Sequence, residues 1–175
     1  MVLRRRAVHP VTSSRNLSNG PLYYLVAILF LMLVLPVGSV LTEGFPFGNG
    51  TYLIALAGKW FTFWAVGVRL FLAGITQTFR PEFTAKSIFE IEDPPALAIV
   101  REVGFANLSM GTLGLLSLPM PQWLVPAAIV GGLYYGLAGT GHVGRSKRNG
   151  KEQLALVSDL GMFALLAGFV AIRRF

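Results

Sequence analysis

The sequence predicts an all-α integral membrane protein, a single helical bundle with five transmembrane helices. Hydrophobic residues make up 54% of the chain, charged residues only 13%, and the mean hydropathy is +0.62. A soluble domain carries about 25% charged residues, roughly twice as many. Five long apolar stretches interrupt the polar segments, and none shows the two-residue alternation of a transmembrane barrel. The alternative to five spans is four spans plus one interfacial or re-entrant helix.

Each apolar stretch comes close to or exceeds the ~20 residues that a helix needs to cross a bilayer. The predicted spans cover about 22–41, 52–79, 97–118, 123–140 and 154–172. Residues 21–175 are therefore expected to form one transmembrane domain, and the basic segment 1–20 a flexible cytoplasmic tail. We interpret the first span as a retained helix rather than a cleavable signal, because its polar lead is long for a signal peptide.

The distribution of basic residues predicts the orientation. Ten lysines and arginines fall on one side of the predicted spans: Arg4, Arg5, Arg6, Arg15, Arg80, Lys86, Arg145, Lys147, Arg148 and Lys151. Only Arg173 and Arg174 fall opposite. The positive-inside rule then places the N-terminus in the cytoplasm and the C-terminus outside the cell (inner) membrane, whereas a four-span topology would place both inside. The net charge of +7 is attributed to this topology signal, and no nucleic-acid partner is expected.

Charged residues inside the apolar stretches indicate a candidate site. Lys59 and Arg69 lie within the second predicted span, and Glu102 and Asp159 lie within or at the edge of two others. An ionised side chain in hydrocarbon is strongly unfavourable unless it is paired or wetted, so these acidic residues are the predicted partners of the basic ones. Arg69 in particular is expected to meet Glu102 or Asp159.

Several polar residues are predicted at similar depths in the cytoplasmic half of the membrane. At 1.5 Å per residue, the heights of four of them overlap within the reach of a side chain. The predicted buried polar cluster is Arg69, Glu102, Asn107 and Asp159, with His142 at its rim. Gln77 and Arg101 lie at the same rim, whereas Lys59 lies about 15 Å further out and is expected to extend toward the outer interface.

The cluster has two interpretations. Intramembrane carboxylates beside an arginine and a histidine can exchange protons or hold a small anionic or quinone-like ligand. The sequence thus predicts a protein that binds a small ligand or handles protons, transport-like or associated with quinone or lipid. Alternatively, the cluster holds helices together in a structural or accessory subunit of a membrane complex. No residue spacing specifies a reaction, so no catalytic residue is identified and a non-enzyme is favoured.

Small residues indicate where helices can pack closely, within one chain, in a homo-oligomer or against a partner membrane protein. The predicted packing glycines are Gly67, Gly74, Gly104, Gly111, Gly132 and Gly136. The chain has no cysteine and only two histidines, which argues against thiolate metal sites, iron–sulfur clusters and a bis-histidine haem. No cofactor and no metal site are expected, and the lipid bilayer is the general partner.

Three runs carry a resemblance to a known family: KWFTFWAVGVRLFLAGITQTFRPEFTAKSIF, REVGFANLSMGTLGLLSL and GLAGTGHVGRSKRNGKE, followed by Ser158-Asp159-Leu160. Over about residues 59–160 the chain resembles an uncharacterised family of small bacterial multi-pass membrane proteins, defined by a domain of unknown function. That resemblance implies a bacterial membrane location and no activity. The chain is also similar to the DoxX-like four-helix membrane proteins, some of which accompany quinone-linked sulfur oxidation. No DoxX motif matches residue by residue, so no site residues are carried over.

Overall fold

Five long helices form the part of the chain that the structure describes. A computed structural model describes residues 26–46, 48–86, 93–143 and 150–173, without the side chains of 142 and 150–152. The helices are α1 (Val26–Gly44), α2 (Gly50–Phe79), α3 (Ala96–Leu116), α4 (Leu124–Val143) and α5 (Gly150–Arg173). The described residues contain no strand, so the predicted all-α class is confirmed. The predicted tail, residues 1–20, lies outside the described residues.

Four of these helices are long and apolar enough to cross a membrane. Within the described ranges they are α1, α2, α4 with the short 3₁₀ turn before it, and α5 from Gln153 onward. The predicted number of five spans is therefore not confirmed. Helix α3 has 21 residues, which is sufficient length, but every 18-residue segment of it contains Arg101, Glu102 and Asn107. These three side chains lower its hydropathy.

Helix α2 is bounded by local signals and interrupted by a π-helical stretch. The Asn49 side chain caps its start by accepting a hydrogen bond from the Tyr52 N–H at 2.9 Å. The helix ends at Phe79, and a one-turn helix, Pro81–Thr84, follows. Its middle, Thr62–Arg69, has π-helical geometry, which is rare in proteins and frequent at functional sites. Its 30 residues exceed what one membrane crossing requires.

Helices α2 and α3 run antiparallel with their backbones in contact. A Cβ atom added to Gly67 would lie 2.8 Å from the carbonyl carbon of Gly114. A Cβ atom on Gly74 would lie 2.8 Å from the Gly104 carbonyl oxygen, and one on Gly104 would lie 2.8 Å from Thr78 Oγ1. Only glycine allows this separation, because any side chain would overlap the facing helix. The register of α3 along α2 is therefore set by glycines.

Helices α4 and α5 form a second antiparallel pair, and α1 lies at the edge. Gly136 of α4 faces Phe163 and Gly139 faces Leu160, both on α5. The hydrophobic core lies between α2, α4 and α5, with one contribution from α1. Its members are Met32, Phe61, Ala65, Val66, Leu70, Leu124, Ala128, Tyr135, Met162, Leu166 and Phe169. Helix α1 is mostly exposed and packs mainly against α2.

The two ends of the bundle can be placed by the charged residues of α2. The segment from Lys59 to Arg80 is ~31 Å long, close to the ~30 Å of a hydrocarbon core. Glu43, at the end of α1, contacts Lys59, so we call this the Lys59 end. Because Gly104 contacts Thr78, Glu102 of α3 lies at the opposite end, level with Arg80, which we call the Arg80 end.

Candidate functional site

A buried tyrosine joins α2 and α4 near the middle of the bundle. The Arg69 guanidinium donates a hydrogen bond from Nη1 to the Tyr135 hydroxyl oxygen at 2.9 Å. The Tyr135 hydroxyl in turn donates to the carbonyl oxygen of Ala65. The guanidinium carbon also lies 5.3 Å from the centroid of the Tyr135 ring. One side chain of α4 thus contacts two positions of α2 that are a turn apart, both within the π-helical stretch.

Asp159 of α5 completes this site, which we call the Tyr135 cluster: Arg69, Tyr135 and Asp159. Tyr135 is 0% exposed and Asp159 is 6% exposed. Gly139, one turn beyond Tyr135 on α4, packs against Leu160, the chain neighbour of Asp159, so Asp159 lies about one turn from the level of Tyr135. Three helices therefore bring a permanent cation, a phenol and a carboxyl group together inside the bundle, where few water molecules can screen their interaction.

The predicted residues Asn107 and Gln77 form a separate contact between α2 and α3. The Asn107 Nδ2 donates to Gln77 Oε1 at 2.7 Å, and Asn107 is 1% exposed. The Asn107 Oδ1 atom is buried with no hydrogen-bond partner among the described residues. This pair packs α3 against α2, whereas the Tyr135 cluster lies on the side of α2 that faces α4 and α5.

Glu102 is exposed, so the expectation that it is buried with Arg69 was wrong. The physical reason is the glycine contact between α2 and α3, which places Glu102 and the equally exposed Arg101 at the Arg80 end. The depth of Glu102 in the membrane was predicted from its distance to the start of α3. Because α3 begins beyond the end of α2, Glu102 lies nearer the end of the bundle than that distance implies. The side chain of His142 lies outside the described residues.

Lys59 has a different partner from those predicted. Its Nζ lies 2.8 Å from both carboxylate oxygens of Glu43, and the two side chains are 33% and 37% exposed. The Trp60 Nε1 donates to Glu43 Oε2 at 2.7 Å. One turn deeper, the Trp64 Nε1 donates to Ser39 Oγ at 3.0 Å. We call Glu43, Lys59 and Trp60 the Glu43 cluster. It ties α1 to α2 at the Lys59 end of the bundle.

Sequence reasoning missed Tyr135 and Glu43, and both left a signal. Tyr135 stands four residues from both Gly131 and Gly139, so it is a large polar side chain on a face of small residues. Glu43 precedes a short connection between two antiparallel helices, which brings it level with Lys59. The closeness of Glu43 and Lys59 in the chain indicates this pair better than the presence of acidic residues in other spans does.

The described residues contain no candidate metal site, and an apolar groove lies away from these clusters. Among the described residues, no group of three or more histidine, aspartate or glutamate side chains could hold a metal ion. A groove of about 420 Å³ lies between α4 and α5 and is lined by apolar residues, including Gly132 and Phe163. It includes no member of the Tyr135 cluster.

Comparison with known proteins gives a family but no activity. No curated protein and no solved structure matches the chain. The model of a family of unknown function, DUF6790, matches residues 21–173, which include all five helices. The resemblance to an uncharacterised family that the sequence suggested is thereby confirmed. The chain belongs to DUF6790, a family of unknown function.

Proposed function

We propose that this chain is a proton-handling protein of the bacterial inner membrane, with the Tyr135 cluster as its site. The observation that supports this function is the Tyr135 hydroxyl, fully buried and bonded to the Arg69 guanidinium, with the carboxyl group of Asp159 buried on the neighbouring helix α5. Ionisable groups inside a membrane bundle are costly to bury and commonly mark proton relays. The π-helical stretch that carries Ala65 and Arg69 is a further feature typical of functional sites.

The three residues have different roles in this proposal. Arginine keeps its charge under all ordinary conditions. An unperturbed tyrosine titrates near pH 10, so Asp159 is the member whose charge can change with uptake or release of a proton. Arg69 compensates the ionised carboxylate, and Tyr135 bridges Arg69 to the α2 backbone. Proton transfer at Asp159 would then change the net charge of the cluster by one and alter the balance between α2, α4 and α5.

We further propose that all five helices span, with the N-terminus in the cytoplasm and the C-terminus outside. The backbone contact of α3 with α2 supports a shared membrane depth for these two helices. The excess of basic residues at the Arg80 end supports the orientation. Arg69 lies ~16 Å from Arg80 and ~15 Å from Lys59 along α2, so the Tyr135 cluster would fall in the middle of the bilayer.

Proton flux into liposomes tests the proposed function. Purified full-length protein is reconstituted with a pH-sensitive dye inside, and a potassium gradient with valinomycin supplies the driving potential. We expect internal acidification faster than in protein-free liposomes, and a return to the protein-free rate for Asp159→Asn. Glu102→Gln is the matched control, because it neutralises an exposed carboxylate outside the cluster and should leave the rate unchanged.

Two results would contradict this function. The first is a wild-type rate equal to that of protein-free liposomes at potentials of either sign. The second is an equal loss for Glu102→Gln and Asp159→Asn, which would show that the Tyr135 cluster is not the site. Circular dichroism of each reconstituted variant checks that the helices are intact.

A structural subunit is the second candidate function. The observation that favours it is that the Tyr135 hydroxyl already has both a donor and an acceptor within the bundle, so the contact joins α2 and α4 without a ligand. In nanodiscs, Arg69→Gln and Tyr135→Phe should then show coupled losses of stability, by about 1 kcal/mol beyond additivity, with no proton flux. A thermal shift on adding decylubiquinone or phosphatidylglycerol that Asp159→Asn abolishes would instead indicate a small ligand at the cluster.

A further inference from the structure

The apolar groove between α4 and α5 is a second feature of the molecule, separate from the Tyr135 cluster. It has a volume of about 420 Å³ and is lined only by apolar residues. Ala128 and Gly132 of α4 form one wall, and Phe163, Ala167 and Ala171 are among the residues of the other. Phe163 is 40% exposed, so the groove opens on the outside of the bundle.

The groove exists because small residues line α4 and α5 toward the Lys59 end. A Cβ atom added to Gly139 would lie 2.7 Å from its nearest neighbour on α5, and one on Gly136 would lie 2.9 Å away. At Gly132 the corresponding distance is 3.4 Å, which is ordinary van der Waals contact. Large side chains of α5 thus fill the space beside Gly136 and Gly139, whereas little besides Leu166 Cβ fills the space beside Gly132.

The dimensions fit part of an acyl chain better than a partner helix. From Phe163 to Ala171 the groove extends ~12 Å along α5, a fraction of the ~30 Å hydrocarbon core. An α-helix with its side chains is ~10 Å or more across, and over the same length it would occupy about twice the volume of the groove. A single hydrocarbon chain is narrow enough to lie within it.

The charges at the Lys59 end of α4 and α5 favour an anionic headgroup. Helix α4 contains no aspartate or glutamate, and α5 contains none after Asp159. Arg173, two residues beyond Ala171, is exposed and has its guanidinium carbon 5.8 Å from the centroid of the Phe169 ring. Glu43, the acidic residue at the same end, is paired with Lys59. An arginine guanidinium can bind a phosphate through two parallel hydrogen bonds.

We propose that this groove binds one acyl chain of an anionic phospholipid, whose phosphate is held by Arg173. The apolar walls exclude water from the chain, and burial of each methylene group in a close-fitting site adds dispersion contacts. Arg173 supplies the preference for an anionic over a zwitterionic headgroup. This lipid site is independent of proton handling at the Tyr135 cluster.

Native mass spectrometry of the detergent-purified full chain tests the proposal. The protein is mixed with equal amounts of phosphatidylglycerol and phosphatidylcholine, and the retained lipid is identified. We expect one phosphatidylglycerol per chain for the wild type and loss of that lipid for Gly132→Leu, which fills the groove. Gly168→Leu is the matched control, since Gly168 on α5 has no atom within 4 Å of an added Cβ. Arg173→Gln should keep a lipid but lose the preference for phosphatidylglycerol.

Three outcomes would overturn the proposal. Equal retention of the two phospholipids by the wild type would remove the role of Arg173. Loss of a dimer rather than of a lipid in Gly132→Leu would show that a second copy covers the groove. Displacement of phosphatidylglycerol by stoichiometric decylubiquinone would assign the groove to an isoprenoid-type ligand. If Gly132→Leu fails to fold by circular dichroism, Ala171→Phe replaces it, because it obstructs the groove from α5.

Discussion

The pairing of Lys59 shows how an apparent membrane charge is accommodated. By sequence it lies inside an apolar stretch, yet its ammonium meets the Glu43 carboxylate, and both side chains remain about one third exposed. The Lys59 ammonium also lies 4.8 Å from the centroid of the Trp60 ring. Such a contact is typical of a residue at a membrane interface. Lys59 therefore marks a boundary of the apolar region rather than a charge at its centre.

The Glu43 cluster predicts a non-additive effect on stability. Glu43→Leu leaves the Lys59 ammonium and the Trp60 N–H without the carboxylate, so the free energy of unfolding should fall by about 1 kcal/mol. Adding Lys59→Leu should restore most of that loss, because no unpaired charge then remains. Thermal unfolding in nanodiscs measures both. A double variant less stable than Glu43→Leu would contradict the prediction, and Glu82→Ala serves as a control at an exposed carboxylate outside the cluster.

The contact between Asn107 and Gln77 predicts a non-additive effect on stability of similar size. Asn107→Leu removes the donor to Gln77 Oε1 at the interface of α2 and α3, so stability should fall by about 0.5–1.5 kcal/mol. The double variant with Gln77→Leu should be at least as stable as Asn107→Leu, since both polar groups are then gone. Chemical denaturation in mixed micelles can compare them. An additive second loss would show that Gln77 has another stabilising contact.

At the scale of elements, glycine contacts decide how the helices are aligned. Gly104 and Gly111 of α3 face α2 at positions where no side chain fits, whereas an added Cβ at Gly161 and Gly168 of α5 meets nothing within 4 Å. The sequence can mark glycine-rich faces, but it does not distinguish these two classes. That distinction depends on which face of each helix meets another helix.

A matched pair of alanine substitutions should separate the two classes. Gly111→Ala would place its methyl group against the backbone of Phe71, and such overpacking should lower the free energy of unfolding by about 1–3 kcal/mol. Gly168→Ala has open space and should raise it by roughly 0.5–1 kcal/mol, because alanine loses less backbone freedom in a helix. Thermal unfolding in the same detergent compares the two. Equal melting temperatures would refute the tight contact.

At the scale of the whole molecule, the open question of four or five spans depends on α3. Its apolar character is reduced by three polar residues, but its backbone lies against α2 over several turns. Two of those residues, Arg101 and Glu102, lie level with Arg80, at the end of the ~30 Å between Lys59 and Arg80. Of the three polar residues, only Asn107 would then lie at the depth of the hydrocarbon core. It is buried against α2, and its amide donates to Gln77.

Cysteine labelling determines the topology, because the chain has no cysteine of its own. With five spans, Thr51→Cys and Phe175→Cys should react with a membrane-impermeant maleimide from outside, whereas Ser146→Cys should react only after the membrane is opened. With four spans, Ser146→Cys would react from outside and Phe175→Cys would not. Thr51→Cys is the control that reacts in both cases.

The sequence by itself determined the helical class, the approximate helix boundaries and the presence of polar residues in apolar segments. These follow from composition and from the length of the apolar runs, which are local properties of the chain. Arg69 and Asp159 were recognised because a charge in an apolar run is visible without knowing its neighbours.

Only the tertiary structure decided which polar groups meet. Rotation of each helix about its axis and its shift along the neighbouring helix are fixed by contacts such as Gly67 with Gly114, which no single segment specifies. That register moved Glu102 to the Arg80 end, paired Lys59 with Glu43 and placed Tyr135 beside Arg69. A sequence gives the depth of a residue only relative to its own helix, whereas a site forms from residues of several helices.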